Sequence, residues 1–519
     1  MASQDDMLKV ASAIGFEIPP DQLDDYTTLL GRMKGALDTL SAMDDYTPTP
    51  DFTLTPRENV HFPDRADNPL NAWAWKCDCA HAQPTSDLLQ GKSVCLKDNI
   101  ALAGVPCLLG TESFTGWTPS VDATVAGRVL EAGGRIAGKA VCENLSRGAV
   151  SVSAATGPVH NPYARGYSAG GSSSGTAALV GAGTVDLGLG CDQGGSIRIP
   201  AAMCGLYGLK ATFGLVPYTG IASNDASVDF VGPMTRTCTD CAVLLQAIAG
   251  ADGLDDRQGA GCPFPAQVPK YAEALATSGR DGAKGLKIGI LKEGLSNPVL
   301  EEEVKAKFLA AAKEFEKLGA TVEEVSVPLH ESARTIYSVM SKMGNHMGML
   351  GRATGRRQVM MTDLFEKKGL PYSPEALSKM SIFSKEGLFA GEFAWSNYPY
   401  AHAKAVNLCR KLRDDYDAAL AKYDVLIMPT TLRASFPLPA VDAGPLVHMD
   451  ANKGMTENTA PFNASGHPAL AVPMGLVASA ADRAVQVPAS MQIVGRFWDE
   501  TTILKAAYAW ELAVDWKSF

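Results

Sequence analysis

Apolar residues recur at three- and four-residue steps over residues 5 to 46: Leu8, Ala11 and Ile14, then Leu23, Tyr26, Leu29, Leu30, Met33, Leu37 and Leu40. That period puts them on one face of a helix, and Pro19-Pro20 divides the stretch into two amphipathic helices. Residues 47 to 68 carry Pro48, Pro50, Pro56 and Pro63 with few apolar runs, which predicts an extended linker wrapping a body. A helical arm with an apolar face needs a surface to pack on. A homodimer contact satisfies that need, and so does packing on its own chain.

The period changes from residue 87 to 250, where strand and helix patterns alternate. Strands are expected at 92 to 96, at 135 to 140 and through Val185, Leu187 and Leu189; helices are expected at 123 to 132, ended by Gly133-Gly134, and at 174 to 181, capped by serines. A second unit of the same kind runs through a strand at 285 to 290, a helix at 300 to 318 and a strand at 321 to 327. Residues 329 to 420 read as helical and are rich in methionine, including Met340, Met343, Met347, Met349, Met360, Met361 and Met380; such side chains suit an adaptable pocket or simply fill a core. The strand pattern resumes at 424 to 428 and stops at Pro429-Thr430. The expected class is α/β, with a mostly parallel, mixed central sheet flanked by helices. The expected divisions are a helical N-terminal arm and linker at 1 to 70, a core part at 71 to 289, an inserted smaller lobe forming the substrate pocket at 290 to 405, and a second core part at 406 to 519.

Composition narrows the partners. With 46% hydrophobic and 20% charged residues, the 519-residue chain has the makeup of a soluble globular protein, and a net charge of −10 argues against a phosphate-neutralising surface. Nucleic acid is therefore not an expected partner, and neither is a membrane: no segment approaches a membrane span and the N-terminus lacks a signal-peptide pattern. The cytoplasm is the expected compartment. The 11 cysteines lie in apolar contexts, and the close pairs Cys77/Cys79 and Cys238/Cys241 lack the further ligands of a zinc site, so neither metal nor cofactor is expected.

Three features can carry chemistry: Lys97, the serines at 172 to 174, and Ser196. Lys97 ends an apolar strand, where open α/β sheets place their sites; an amine stripped of solvent there can lose its proton and act as a general base. Ser196 follows Gly194-Gly195 on a turn at a strand's end, where glycines let successive N–H groups converge on an oxyanion or another anion. No histidine adjoins either serine turn, His160 being the nearest, and there is no G-x-S-x-G or S-x-x-K. A phosphate loop fails too, because Thr176-Ala177 follows Gly175 where a lysine should stand. Asp192 and Arg198 flank Ser196 and can pair to brace its turn.

Lys97, GGSSSG at 170 to 175 and DQGGSIRIPAAMCGLYGLK at 192 to 210 resemble the amidase signature family, the Ser-Ser-Lys amide hydrolases; so do residues 122 to 144, 232 to 242 and 458 to 476, in the same order. The resemblance implies that family's fold, with Ser196 as nucleophile, Ser172 as bridging serine and Lys97 as base. It is the family's 24-residue step between the serines that selects Ser172 over Ser173 and Ser174. It also implies a cis Gly171-Ser172 peptide, an oxyanion hole from the backbone of Gln193, Gly194, Gly195 and Ser196, and support from Gly171, Ser173, Asp192 and Arg198. His467, in GHPAL, is expected to be structural. Departures from the pattern are Ser174 in the glycine turn, Ala211 where proline is usual, and Gln193 where threonine is common; with the N-terminal arm, Gln193 is similar to the nitrile-pathway amidases. The implied substrate is a small aliphatic or aromatic carboxamide, cleaved through an acyl-enzyme. Carbamate, anilide or ester hydrolysis is the alternative, and glutamine hydrolysis within a tRNA-dependent amidotransferase a further one.

Overall fold

The computed structural model describes residues 2–352, 355–368 and 372–519. These fall into two compact units, residues 2–48 and Thr49–Phe519. The first is a helical pair, Gln4–Ala13 and Leu23–Ser41, joined through a short 3-10 turn at Pro20–Gln22. A capping box at Ser3 and Asp6 starts the first helix. The second helix leaves Leu29, Met33, Leu37 and Leu40 about half exposed or more. The compact helical unit ends at Pro48, and the proline-rich stretch expected as a linker belongs to the large unit: Arg57 pairs with Asp122, and Glu58–His61 adds a strand.

That large unit is built on one twelve-stranded sheet. In chain order its strands are β1 (Glu58–His61), β2 (Trp73–Cys79), β3 (Ser93–Lys97), β4 (Arg135–Ala140), β5 (Leu187–Asp192), β6 (Tyr207–Lys210), β7 (Phe230–Thr235), β8 (Lys287–Leu291), β9 (Thr321–Val325), β10 (Val425–Pro429), β11 (Ala469–Ala478) and β12 (Gln486–Val494). Across the sheet they run β1-β2-β4-β3-β5-β7-β6-β11-β12-β10-β8-β9. The mixed α/β class is as expected, but parallel pairs are confined to β4-β3-β5 and β10-β8-β9; every other neighbouring pair is antiparallel. The alternating strand-and-helix rhythm implies right-handed crossovers and parallel neighbours. It does not register β6, β7, β11 and β12, which meet one another antiparallel at the sheet's centre.

The crossover helices follow from patterning. Thr124–Glu131 buries Val125, Ala126, Val129 and Leu130 on one face, whereas Ser174–Gly181 is buried all round and made of small residues. The helix Glu302–Lys317 precedes β9, which extends the sheet edge beyond β8, and a helical region follows from His330–Met349. That region includes residues 353, 354 and 369 to 371, which lie outside the described residues. Met340, Met343, Met349 and Met380 are core, while Met360 and Met361 line a small cavity of about 60 Å³.

Candidate active site

Three chain segments converge on the C-terminal ends of β3 and β5. Val94, Cys95 and Leu96 are fully buried, which carries Lys97 into the interior with only 1% of its surface exposed. Its Nζ donates to Ser172 Oγ at 2.8 Å and lies 3.4 Å from the Cys191 carbonyl; among the described residues no carboxylate lies within ion-pair distance of it. Ser172 is equally buried and follows a cis Gly171-Ser172 peptide. Its carbonyl accepts the Glu143 N–H at 3.1 Å, which ties the turn to the segment after β4.

The three consecutive serines do different things. Ser173 Oγ donates to the Cys191 carbonyl at 3.1 Å and accepts the Cys191 N–H at 3.2 Å, and its own N–H reaches the Ser196 carbonyl at 3.3 Å. Ser173 therefore staples the two serine turns together instead of capping the helix behind it, and the expected side-chain cap is absent. Ser174 turns toward the Val141 carbonyl. Only Ser172 faces the lysine, a distinction of rotamer and backbone direction that three adjacent serines do not reveal.

β5 ends at Asp192, and the turn after it is held by that residue's carboxylate. Oδ1 accepts from Gly195 N at 2.6 Å, Asn463 Nδ2 at 2.8 Å and Arg198 Nη2 at 3.1 Å, while Oδ2 accepts from Arg198 Nε at 3.0 Å and Ile197 N at 3.2 Å. Both charged side chains are fully buried. Burial pushes the Asp192 carboxyl up, but the Arg198 charge and the hydrogen bonds from Arg198 and Asn463 outweigh it and hold the group down at about 2. Arg198 spends its remaining N–H groups on Thr459 O, Gln492 Oε1 and Asn463 Oδ1.

This bracing takes up one of the expected oxyanion donors. The Gly195 N–H is turned onto Asp192 and is taken up by that carboxylate; Gly195 itself has a positive φ of 133°. Among the described residues no intramolecular hydrogen bond takes up the N–H groups of Gln193, Gly194 or Ser196. Ser196 is half-buried, and no hydrogen bond joins its hydroxyl to Ser172 in this arrangement.

Other residues shape the site without having stood out in the sequence. A Cβ on Gly194 would meet the Tyr337 hydroxyl, and one on Gly195 would meet Thr459; Thr459 Oγ1 donates to the Gly194 carbonyl at 2.7 Å. Asp229, near Gln193, accepts from Ser223 Oγ, and its buried carboxyl is pushed up to about 7 by desolvation against the pull of that hydrogen bond. Asp98, the residue after Lys97, takes the N–H groups of Leu108 and Leu109 and faces Lys139 at 3.6 Å, both side chains buried. Thr459 and Asn463 lie in the 458 to 476 block, and their polarity amid apolar neighbours was the available signal; Tyr337 offered none. His467 bonds Ser465 and Asp417, each at 3.0 Å.

Comparison with known proteins gives the family. The amidase family model matches residues 63–504. An enantioselective amidase from Rhodococcus rhodochrous is 38% identical over 463 residues, covering 87% of this chain and 85% of that protein. A glutamyl-tRNA(Gln) amidotransferase subunit from Exiguobacterium sibiricum is 36% identical over 443 residues, covering 83% of this chain and 86% of that protein. Among solved structures, the peptide amidase of Stenotrophomonas maltophilia superposes with a TM-score of 0.64 at 28% identity, covering 82% of each chain. A bacterial aryl acylamidase of the amidase signature family shares the fold with a TM-score of 0.70 at 24% identity, covering 87% of this chain and 91% of that one. The chain belongs to the amidase signature family and is a hydrolase of amide C–N bonds.

Proposed function

We propose that this enzyme hydrolyses small aliphatic or aromatic carboxamides through an acyl-enzyme on Ser196. The observation that carries the reading is the buried 2.8 Å contact between Lys97 Nζ and Ser172 Oγ, beside a turn that offers a half-exposed serine and unpaired N–H groups. Neutral Lys97 takes the Ser172 proton as Ser172 takes that of Ser196, and Ser196 Oγ bonds to the carbonyl carbon. Charge on the carbonyl oxygen is met by the N–H groups of Gln193, Gly194 and Ser196, each useful donor contributing about 3 to 4 kcal/mol in the transition state. The proton returns through Ser172 to the leaving nitrogen, the C–N bond breaks, and water releases the carboxylate by the same relay. Gly171, Ser173, Asp192 and Arg198 hold the two turns in register.

The test is ammonia release from benzamide and butyramide by wild type, Ser196→Ala and Lys97→Ala, with fluorophosphonate labelling of the serine. Full activity or labelling in Ser196→Ala would remove Ser196 as nucleophile. Carbamates, anilides and esters pass through related intermediates and belong in the same panel. The likeness to glutamyl-tRNA(Gln) amidotransferase subunits supports a second reading, glutamine hydrolysis inside a complex; turnover of simple amides by the purified chain alone would count against it. We also propose a homodimer through the apolar stripe of Leu23–Ser41, which light scattering on the chain with and without residues 1 to 48 would test.

A further inference from the structure

The segment joining β4 to the bridging serine also carries a cation, Arg147. Glu143 N bonds the Ser172 carbonyl, and the Gly148 carbonyl lies 3.0 Å from where a Cβ on Gly171 would stand. The residues around Arg147 therefore pack directly on the turn that holds Ser172. Arg147 reaches toward the helix Ile382–Asn397: its guanidinium lies against Gly387, where an added methyl would come within 2.6 Å of Cζ, and its Nε donates to the Phe383 carbonyl at 3.3 Å. Tyr337, whose hydroxyl covers Gly194, lies within electrostatic range of it.

Among the described residues this guanidinium has no counter-ion. Among the described residues its Nη groups make no hydrogen bond, and no carboxylate lies within ion-pair distance. Glu386 is the acid close enough to influence it, and Glu386 is already paired with Lys342, so the three groups together leave one positive charge. Burial pushes the arginine below its ordinary range, with Glu386 and Tyr337 acting in the opposite direction. Residue 147 as a whole is half-buried. Arginines out of bulk water usually meet an anion, because the planar fork of donors is costly to leave unmade.

We propose that Arg147 anchors a carboxylate carried by the substrate, so that the preferred substrates are amides of compounds that also bear a carboxylate. The inference rests on the acyl-enzyme reading of the same site and deepens it. The carboxylate sits on the Nη fork as a bidentate pair, Tyr337 closes the site over Gly194, and the amide carbonyl reaches Ser196. Lys342 supplies no second anchor, since Glu386 holds it.

The test is the ratio of kcat/KM for succinamate to that for butyramide, a neutral amide of similar size, in wild type, Arg147→Gln and Arg147→Lys. Wild type should prefer succinamate; Arg147→Gln should reduce the ratio by about 10- to 100-fold, as expected for a hydrogen bond to a charged group. Arg147→Lys, which keeps the charge but loses the fork, should fall between. Calorimetric titration of the same proteins with succinate reads the anchor without turnover. Succinate binding that weakens in both variants supports the proposal even if no amide is hydrolysed, in which case the acyl-enzyme reading alone fails. An unchanged ratio in either folded variant, a wild type without preference, or no succinate binding by wild type overturns it.

Discussion

Replacing Asp192 by asparagine preserves shape and removes one charge. The carboxylate accepts the N–H groups of Gly195 and Ile197, two from Arg198 and one from Asn463. An asparagine must turn its NH₂ toward some of those donors, and it leaves Arg198 buried without a counter-charge. Breaking a buried pair from one side costs about 3 to 5 kcal/mol. If the Thr49–Phe519 unit melts as one body, an unfolding entropy of about 2 cal/mol/K per residue sums to about 1 kcal/mol/K, so the melting temperature should fall by about 3 to 5 °C at pH 7. Freeing the Gly195 N–H also lets the Ser196 turn relax, and losing one oxyanion donor lowers kcat by about 100-fold or more. The assay is a thermal melt at fixed scan rate beside ammonia release from benzamide. The pH dependence adds a sign. Because the folded carboxyl is depressed to about 2 from 3.8, its contribution of about 2 kcal/mol is present above pH 4 and is lost as pH falls through 2. The gap in melting temperature between wild type and Asp192→Asn should therefore narrow over that window. An asparagine variant that melts within about 1 °C of wild type and retains its kcat/KM within about twofold would refute the bracing account, since both lie far below the expected losses.

Asp229 has the opposite sign: its carboxyl is raised to about 7, so wild-type stability should decline as pH rises from about 4 through 7, and Asp229→Asn should remove that decline; a melting difference independent of pH refutes this. Gly194→Ala drives a methyl against the Tyr337 hydroxyl and should lower kcat/KM by about tenfold or more through misplacement, with Tyr337→Phe in the same chain restoring part of the loss. Ser172→Ala should cost about 100-fold or more in kcat by removing the proton bridge. Ser173→Ala should mainly cost about 1 to 3 kcal/mol of stability at the Cys191 backbone; equal kinetic losses in the two would erase the distinction between them. Native protein should expose about one thiol to an aromatic disulfide reagent and all 11 in denaturant, because Cys262 alone among the cysteines is not buried.

Much of this molecule was legible in order along the chain. The helices Thr124–Glu131 and Glu302–Lys317 and the strands β3, β4, β8, β9 and β10 fall where apolar period and glycine punctuation put them, because those signals are local. The antiparallel centre was not, since β6, β7, β11 and β12 acquire their partners from segments far away in sequence. The division of labour among the serines was likewise out of reach: Ser172 and Ser173 are chemically identical neighbours, and only the direction of the backbone between β3 and β5 aims one at Lys97 and the other at Cys191.

By itself the sequence presented the candidate groups, Lys97, the serines at 172 to 174 and Ser196 with no histidine adjoining them, together with the alternating elements that bring strand ends to one edge. Tertiary structure decided which N–H groups of that turn are bonded internally, that Gly195 serves Asp192, and that Arg147 has no carboxylate partner among the described residues. The difference is physical: residue type and local period are written position by position, whereas hydrogen-bond satisfaction and charge balance depend on which distant segments share one buried volume.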